Sequence, residues 1–297
     1  MFKKIIAFFM AFFLAVSAFF SGLFQKKPAP EPFDLAYGSA ERQVLDIELP
    51  DKQGAVSLVL FIHGGGWIAG SKELYRENLQ LWAKNGYAAA AINYRYLSDT
   101  VKMTDLLDDI DAALAAIKSY AADRGQTIRK ALLTGASAGG HLSLLYAYAR
   151  KDTAPITPAC VVSYCGVMDL ASPQFIEENG LGDLGVMVDW MRKASGVALT
   201  KAEYEAKSGN YDAYMAALRE ISPLTYASSA VPTVIAHGEE DNVAPFADAV
   251  RMDAALTDAG VPHEFIVYPH SGHGLEDADS GVRTNEAFVQ YALTYLK

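Results

Sequence analysis

Mostly apolar runs recur near 56–62, 87–93, 131–135, 159–165, 233–237 and 264–268, and segments with helical spacing separate most of them. Runs this short and this apolar predict strands buried on both faces, as in a parallel sheet. Ahead of them, Leu35-Ala36-Tyr37 and Val44-Leu45-Asp46-Ile47-Glu48-Leu49 predict an opening antiparallel pair, because the second alternates apolar and polar positions. Together these elements predict an α/β fold, a mostly parallel eight-stranded sheet with helices on both faces.

The rhythm lapses over about 169–230, where no strand-like run occurs. Leu184, Met187, Val188 and Met191 have helical spacing there, and Tyr211 to Leu218 reads as a further helix. The stretch predicts a helical cap inserted after the sixth strand, with Trp190 and its methionines packing it onto the core or shaping a pocket.

The first 24 residues belong to a different pattern. Lys3-Lys4 precede an uncharged apolar run over 5–24, which is a targeting segment and not part of the fold. A signal peptide ending at Val16-Ser17-Ala18 and an uncleaved membrane anchor both fit it. Either places the protein outside the cytoplasm, secreted or held on the outer face of the cytoplasmic membrane. Residues 25–32 carry three prolines and read as an extended tether. That leaves 33–297, a length suited to one α/β domain.

Composition narrows the partners. A net charge of -10 argues against nucleic acid, which needs a basic face. Cys160 and Cys165 lie in one predicted strand, about 16 Å apart if extended, too far for a disulfide. They are expected to be reduced core thiols.

The chemistry is concentrated where strands end. Gly135-Ala136-Ser137-Ala138-Gly139 falls between an apolar strand run and a helix-like stretch, the strand, sharp turn and helix of a nucleophile elbow. Upstream, the run 56–62 ends in His63-Gly64-Gly65-Gly66-Trp67, a loop of glycine N–H groups suited to negative charge on a substrate oxygen. The alternatives are a phosphate-cradling loop or a plain turn; against the first, no Gly-Lys-Ser/Thr follows and no acidic residue stands at dinucleotide spacing. Downstream, His237-Gly238-Glu239-Glu240-Asp241 and Ser271-Gly272-His273-Gly274 each follow a short strand run. The chain order Ser137, Asp241, His273 is that of α/β-hydrolases.

These motifs resemble those of the α/β-hydrolases, in particular the hormone-sensitive-lipase-like esterases with their bacterial carboxylesterase and acetyl-esterase relatives, over roughly 33–297. Asn93-Tyr94-Arg95-Tyr96 resembles a structural segment behind the active site of such enzymes. The short region before the first strand departs from the pattern, so any cap must come from elsewhere. The resemblance implies an α/β-hydrolase fold and a serine carboxylic ester hydrolase. It implies Ser137 as nucleophile, His273 as base, Asp241 as its orienting acid, and an oxyanion hole of Gly65, Gly66 and Ala138 N–H groups, with His63 fixing the glycine loop.

Competitors remain. Glu239, Glu240 and Asp169 stand beside Asp241, which the resemblance favours. His270 lies close to His273, but flanking glycines give His273 the freer backbone. His141 and His263 are not at strand ends, and His237 reads as a packed or turn histidine. The His237 to Asp241 cluster lacks zinc spacing, so neither metal nor cofactor is expected. The expected partner is a small-molecule or glycan ester with a short acyl chain, since no long apolar tunnel is legible. A serine peptidase using the same triad, and a binding protein on the same scaffold, are the alternatives.

Overall fold

The computed structural model describes residues 34–277 and 279–297. The predicted leader and tether, 1–32, lie outside the described residues. Among the described residues no helix is long and apolar enough to cross a membrane.

The strands are β1 (Leu35–Ala36), β2 (Val44–Glu48), β3 (Gly54–Ile62), β4 (Ala88–Ile92), β5 (Gln126–Ala136), β6 (Thr157–Tyr164), β7 (Thr233–Gly238) and β8 (His263–Tyr268). They form one sheet in the order β1-β2-β4-β3-β5-β6-β7-β8. Strand β2 runs antiparallel to β1 and β4, and every pairing from β4 to β8 is parallel. The predicted sheet is therefore the observed one.

Alternation along each strand feeds two separate cores. In β3, Leu58, Leu60 and Ile62 face one core and Val59 and Phe61 the other. Helices α2 (Met103–Ala122), α3 (Ala138–Ala149) and α8 (Phe246–Asp258) cover the first face, and α1 (Arg76–Lys84) and α9 (Ser280–Tyr295) the second. Every residue of β4 is buried, which accounts for its run of alanines between two helical layers.

Two elements differ from the sequence reading. Strand β5 begins at Gln126, before its apolar run, where the Gln126 amide donates from Nε2 to the carbonyls of Pro50 (2.8 Å) and Lys52 (2.7 Å), satisfying its buried N–H groups though not Oε1. Cys165 lies just past β6 in a left-handed turn, φ 44°, and not within the strand. Both cysteines are free and buried, and burial pushes the Cys160 thiol up to about 12.

The stretch 169–230 is helical: α4 (Pro173–Glu177), α5 (Leu184–Ser195), α6 (Lys201–Ala206) and α7 (Tyr211–Glu220), followed by a 3-10 turn (Pro223–Ser229). Met187, Val188 and Met191 are buried as the spacing predicts, and Trp190 with them. Asp183 caps α5 by accepting from the Val186 N–H, and Gly196 closes it in the left-handed conformation.

The sheet order itself locates a cleft. From β3 the chain moves to β4 on one side and then crosses to β5 on the other, and such a switch leaves space beyond the carboxyl ends of the two strands. The glycine loop after β3 and the turn after β5 meet there.

Candidate active site

Strand β5 ends at Ala136 and α3 begins at Ala138, so a single residue makes the turn. That residue is Ser137, with φ 56° and ψ -123°, a conformation strained for any side chain. Its N–H donates to the Tyr164 carbonyl at 2.8 Å, tying the turn to the end of β6. A Cβ at Gly135 would lie 2.3 Å from the Ile62 carbonyl oxygen, and one at Gly139 only 2.0 Å from the same atom. The flanking glycines are thus required by the approach of β3.

His273 Nε2 lies 2.9 Å from Ser137 Oγ, and His273 Nδ1 lies 2.8 Å from Asp241 Oδ2. An anionic carboxylate only accepts, so Nδ1–H donates to Asp241 and Nε2 is left to accept from the serine. Asp241 Oδ1 accepts from the N–H groups of Val243 (2.8 Å) and Ala244 (2.9 Å). Burial would raise its pKa, yet His273 and His237 hold the carboxyl well below the usual carboxylate range. The two loops pack through Gly238, where a Cβ would sit 2.2 Å from the Ser271 carbonyl oxygen.

The glycine loop curls after His63, with φ of 106° at Gly65, 59° at Gly66 and 61° at Trp67. The N–H groups of Ile68 and Ala69 donate back to the Gly65 carbonyl. No hydrogen bond among the described residues engages the N–H of Gly65 or Gly66. Ala138, as the first residue of α3, carries one of the four N–H groups that a helix cannot satisfy internally.

The other candidates fall elsewhere. Glu239, Glu240 and His270 are exposed, and Asp169 pairs with Arg251 at 2.8 Å. His141 is fully buried in α3, accepting from the Trp67 indole at Nδ1 (3.3 Å) and donating from Nε2 to the Ile221 carbonyl (2.9 Å). Burial pushes its pKa down to about 4. His263 pairs with Asp253 at the sheet edge.

Two contacts have no counterpart in the sequence reading. His237 is packed, but its Nε2 also lies 3.3 Å from Asp241 Oδ2 and 2.8 Å from the Ala244 carbonyl, so it is a second imidazole on the same carboxylate. Its place four residues before Asp241, across a glycine turn, was the available signal. Cys165 donates its S–H to the His273 carbonyl at 3.1 Å, and nothing local announces that. Cys165, Asp241 and His273 bring ligand atoms within 4.8 Å of one another. A cation there would have to displace the Asp241–His273 hydrogen bond and the thiol proton, which burial raises well above its ordinary pKa.

A cavity of about 600 Å³ lies between α5 and the chain beyond the glycine loop. Ile68, Leu97 and Trp190 form its apolar wall, and Asp99, Asp189 and Lys193 bring charge to it. The Ser137, Asp241 and His273 side chains do not line it. It adjoins the loop, because Trp190 meets the ring of Trp67 edge-on with centroids 5.9 Å apart.

A sheet in this order, with a strained serine after its fifth strand and an aspartate and histidine on later loops, defines an α/β-hydrolase fold. The chain belongs to the BD-FAE family, whose model matches residues 45–256. It is 27% identical over 266 residues to esterase LipQ of Mycobacterium tuberculosis, covering 84% of this chain and 59% of that one. To the probable carboxylic ester hydrolase LipM of the same organism it is 29% identical over 230 residues, 73% of this chain and 49% of that one. The chain thus spans about half to three fifths of the length of these relatives. Among solved structures, an inhibited esterase B from Lactobacillus rhamnosis superposes with a TM-score of 0.73 at 19% identity, over 98% of this chain and 96% of that one. That likeness is one of fold.

Proposed function

We propose that this protein is a serine carboxylic ester hydrolase acting through an acyl-enzyme. The observation that carries the reading is the hydrogen-bonded line Ser137 Oγ, His273 imidazole, Asp241 carboxylate, at 2.9 and 2.8 Å. Ser137 Oγ attacks the ester carbonyl carbon while His273 Nε2 takes its proton, and Asp241 holds the Nδ1–H tautomer and balances the imidazolium. The N–H groups of Gly65, Gly66 and Ala138 receive the oxyanion, each such donor contributing about 3 kcal/mol to the transition state. His273 returns the proton to the leaving alcohol, and water attacks the acyl-enzyme along the same path. The scheme uses no metal or cofactor.

The substrate is a small-molecule or glycan ester with a short acyl chain. A cavity of about 600 Å³ is of small-ligand size, and its charged residues would have to be desolvated by a long alkyl chain. Export, with the 5–24 segment cleaved or kept as an anchor, would have the enzyme meet that substrate outside the cytoplasm.

A p-nitrophenyl ester series from acetate to palmitate, run beside Ser137→Ala, tests the reading. Turnover that falls beyond butyrate or hexanoate and vanishes in the variant is expected. Well-folded protein that turns over no ester, or a Ser137→Ala variant as active as the parent, sinks it. Cleavage of the matching anilides in preference to the esters would turn it toward a peptidase.

A further inference from the structure

Arg42 stands in the turn between β1 and β2, three positions before the stretch that the family model matches. Its guanidinium is half-buried, and among the described residues no carboxylate lies within ion-pair distance of it. Every group it meets belongs to the glycine loop or to the segment behind that loop. Nε donates to the Tyr94 carbonyl (2.9 Å), and Nη2 donates to the Gly70 carbonyl (3.1 Å) and faces His63 Nε2 (3.1 Å). The cation also lies 3.7 Å above the Tyr96 ring, whose hydroxyl donates to the same Gly70 carbonyl at 2.6 Å. Arg42 therefore holds both ends of the loop, at His63 and at Gly70.

The contact with His63 fixes a proton. Arginine only donates, so His63 Nε2 must accept, and a neutral ring that accepts at Nε2 carries its hydrogen on Nδ1. Among the described residues that hydrogen has one partner, the Gly64 carbonyl at 2.8 Å. Burial and the Arg42 charge push the His63 pKa down to about 3, against the hydrogen bond to Gly64, so the ring stays neutral at working pH. Tyr94 completes the clamp, with its ring stacked on His63 at 4.2 Å and its hydroxyl on the His63 carbonyl at 2.8 Å.

The peptide plane then transmits this order. The Gly64 carbonyl and the Gly65 N–H belong to one planar trans unit and point in opposite directions. Drawing the carbonyl toward His63 turns the Gly65 N–H away from it, and at a glycine pair no Cβ opposes a flip of that unit.

We propose that Arg42 is a positioning residue for the oxyanion donors. It selects the Nδ1–H tautomer of His63, which holds the Gly64–Gly65 peptide with its N–H free for the substrate oxygen. The inference rests on the ester-hydrolase reading for its kinetic consequence, but not for the tautomer.

The test pairs kinetics with spectroscopy on the full chain. In Arg42→Gln, kcat for p-nitrophenyl acetate is expected to fall on the order of 10²-fold, as for a misaimed donor, with KM within about twofold. Arg42→Lys, which keeps a cationic donor, is expected to recover part of that loss. Imidazole nitrogen-15 shifts of the parent protein are expected to show His63 protonated on Nδ1 alone. The proposal is overturned by a folded Arg42→Gln variant with kcat within about twofold of the parent, by a loss expressed only in KM or melting temperature, or by a parent His63 protonated on Nε2. If neither variant folds, the parent spectrum decides alone. If the parent never acylates Ser137, the ester-hydrolase reading fails, and the same spectrum still decides whether Arg42 sets the tautomer.

Discussion

At Gly139, the second residue of α3, an added methyl would lie 2.0 Å from a backbone oxygen of β3; at Gly185, in cap helix α5, it would meet nothing closer than the Asp183 carboxylate at 3.2 Å. The contrast extends to the whole of each region. Around the elbow, strand ends approach so closely that backbone touches backbone, and glycine is forced at 135, 139 and 238. In the cap, side chains of α5 and α7 pack on one another and on the core; half of α7 is exposed, and α5 exposes Asp189 with a half-buried outer face. On the reading proposed above, reaction geometry would be held by the part of the molecule that tolerates no change of volume, and substrate fit by the part that does.

The largest effect expected from this division is on turnover at the elbow. Asp241→Asn leaves the fold intact but gives His273 the wrong tautomer, and kcat is expected to fall by about 10⁴. Combining it with Ser137→Ala should add almost nothing to the loss from Ser137→Ala alone, because residues acting as one unit are not additive. A double variant much slower than the single one would show that Asp241 acts apart from the serine.

Stability separates the regions next. Gly139→Ala is expected to cost at least about 3 kcal/mol, since the clash is with backbone and cannot be relieved by a rotamer change. Gly185→Ala, inside a helix, should lie within about 1 kcal/mol of the parent in either direction, because alanine restricts the unfolded chain but crowds the capping Asp183 oxygen at 3.2 Å. Chemical denaturation of the two variants measures the difference, and equal losses would abolish the contrast.

The same division governs what was legible in the sequence. Ser137, Asp241 and His273 could be read as candidates because each stands within five positions of a strand end, beside glycines. Strand β5 was read short, since its first five residues bring only Ile128 to the core and lean on the Gln126 side-chain amide, too sparse an apolar pattern to mark a strand. Helix α6 of the cap was missed although Thr200 and Glu203 form its capping box, a pattern that does mark a helix start. Arg42, and the contact of Cys165 with the His273 carbonyl, depend on chain segments far apart in sequence, and no spacing rule reaches them.

Acid should act on the elbow side first. His63 and His141 are buried and neutral, with folded pKa values of about 3 and 4, against about 6.5 in an unfolded chain. Below that unfolded value the unfolded chain takes up protons that the folded one refuses, so stability present at neutral pH is lost as pH falls toward the folded values. Each histidine contributes at most about 1.4 kcal/mol per pH unit across that window. The stretch 169–230 contains no histidine and adds nothing of this kind. Urea unfolding at pH 7 and at pH 5 reads the slope, and a free energy unchanged between them would mean that these two rings can be protonated in place.

The smallest effect, and the one that bears most on specificity, belongs to Trp190. Among the described residues its buried indole N–H has no hydrogen-bond partner, while its ring forms one wall of the cavity. Trp190→Phe removes the orphan donor, a gain of about 1 kcal/mol, and opens a small void that offsets it, so net stability should change by less than about 1 kcal/mol. The void changes the pocket while the elbow is left alone. The ratio of kcat/KM for p-nitrophenyl butyrate over acetate is therefore expected to shift by a few-fold, the scale of one or two methylenes in an apolar pocket. Fluorophosphonate labelling of Ser137 should proceed at an unchanged rate. A variant whose labelling slows while its ester ratio stays fixed would place Trp190 with the elbow and dissolve the boundary between the two regions.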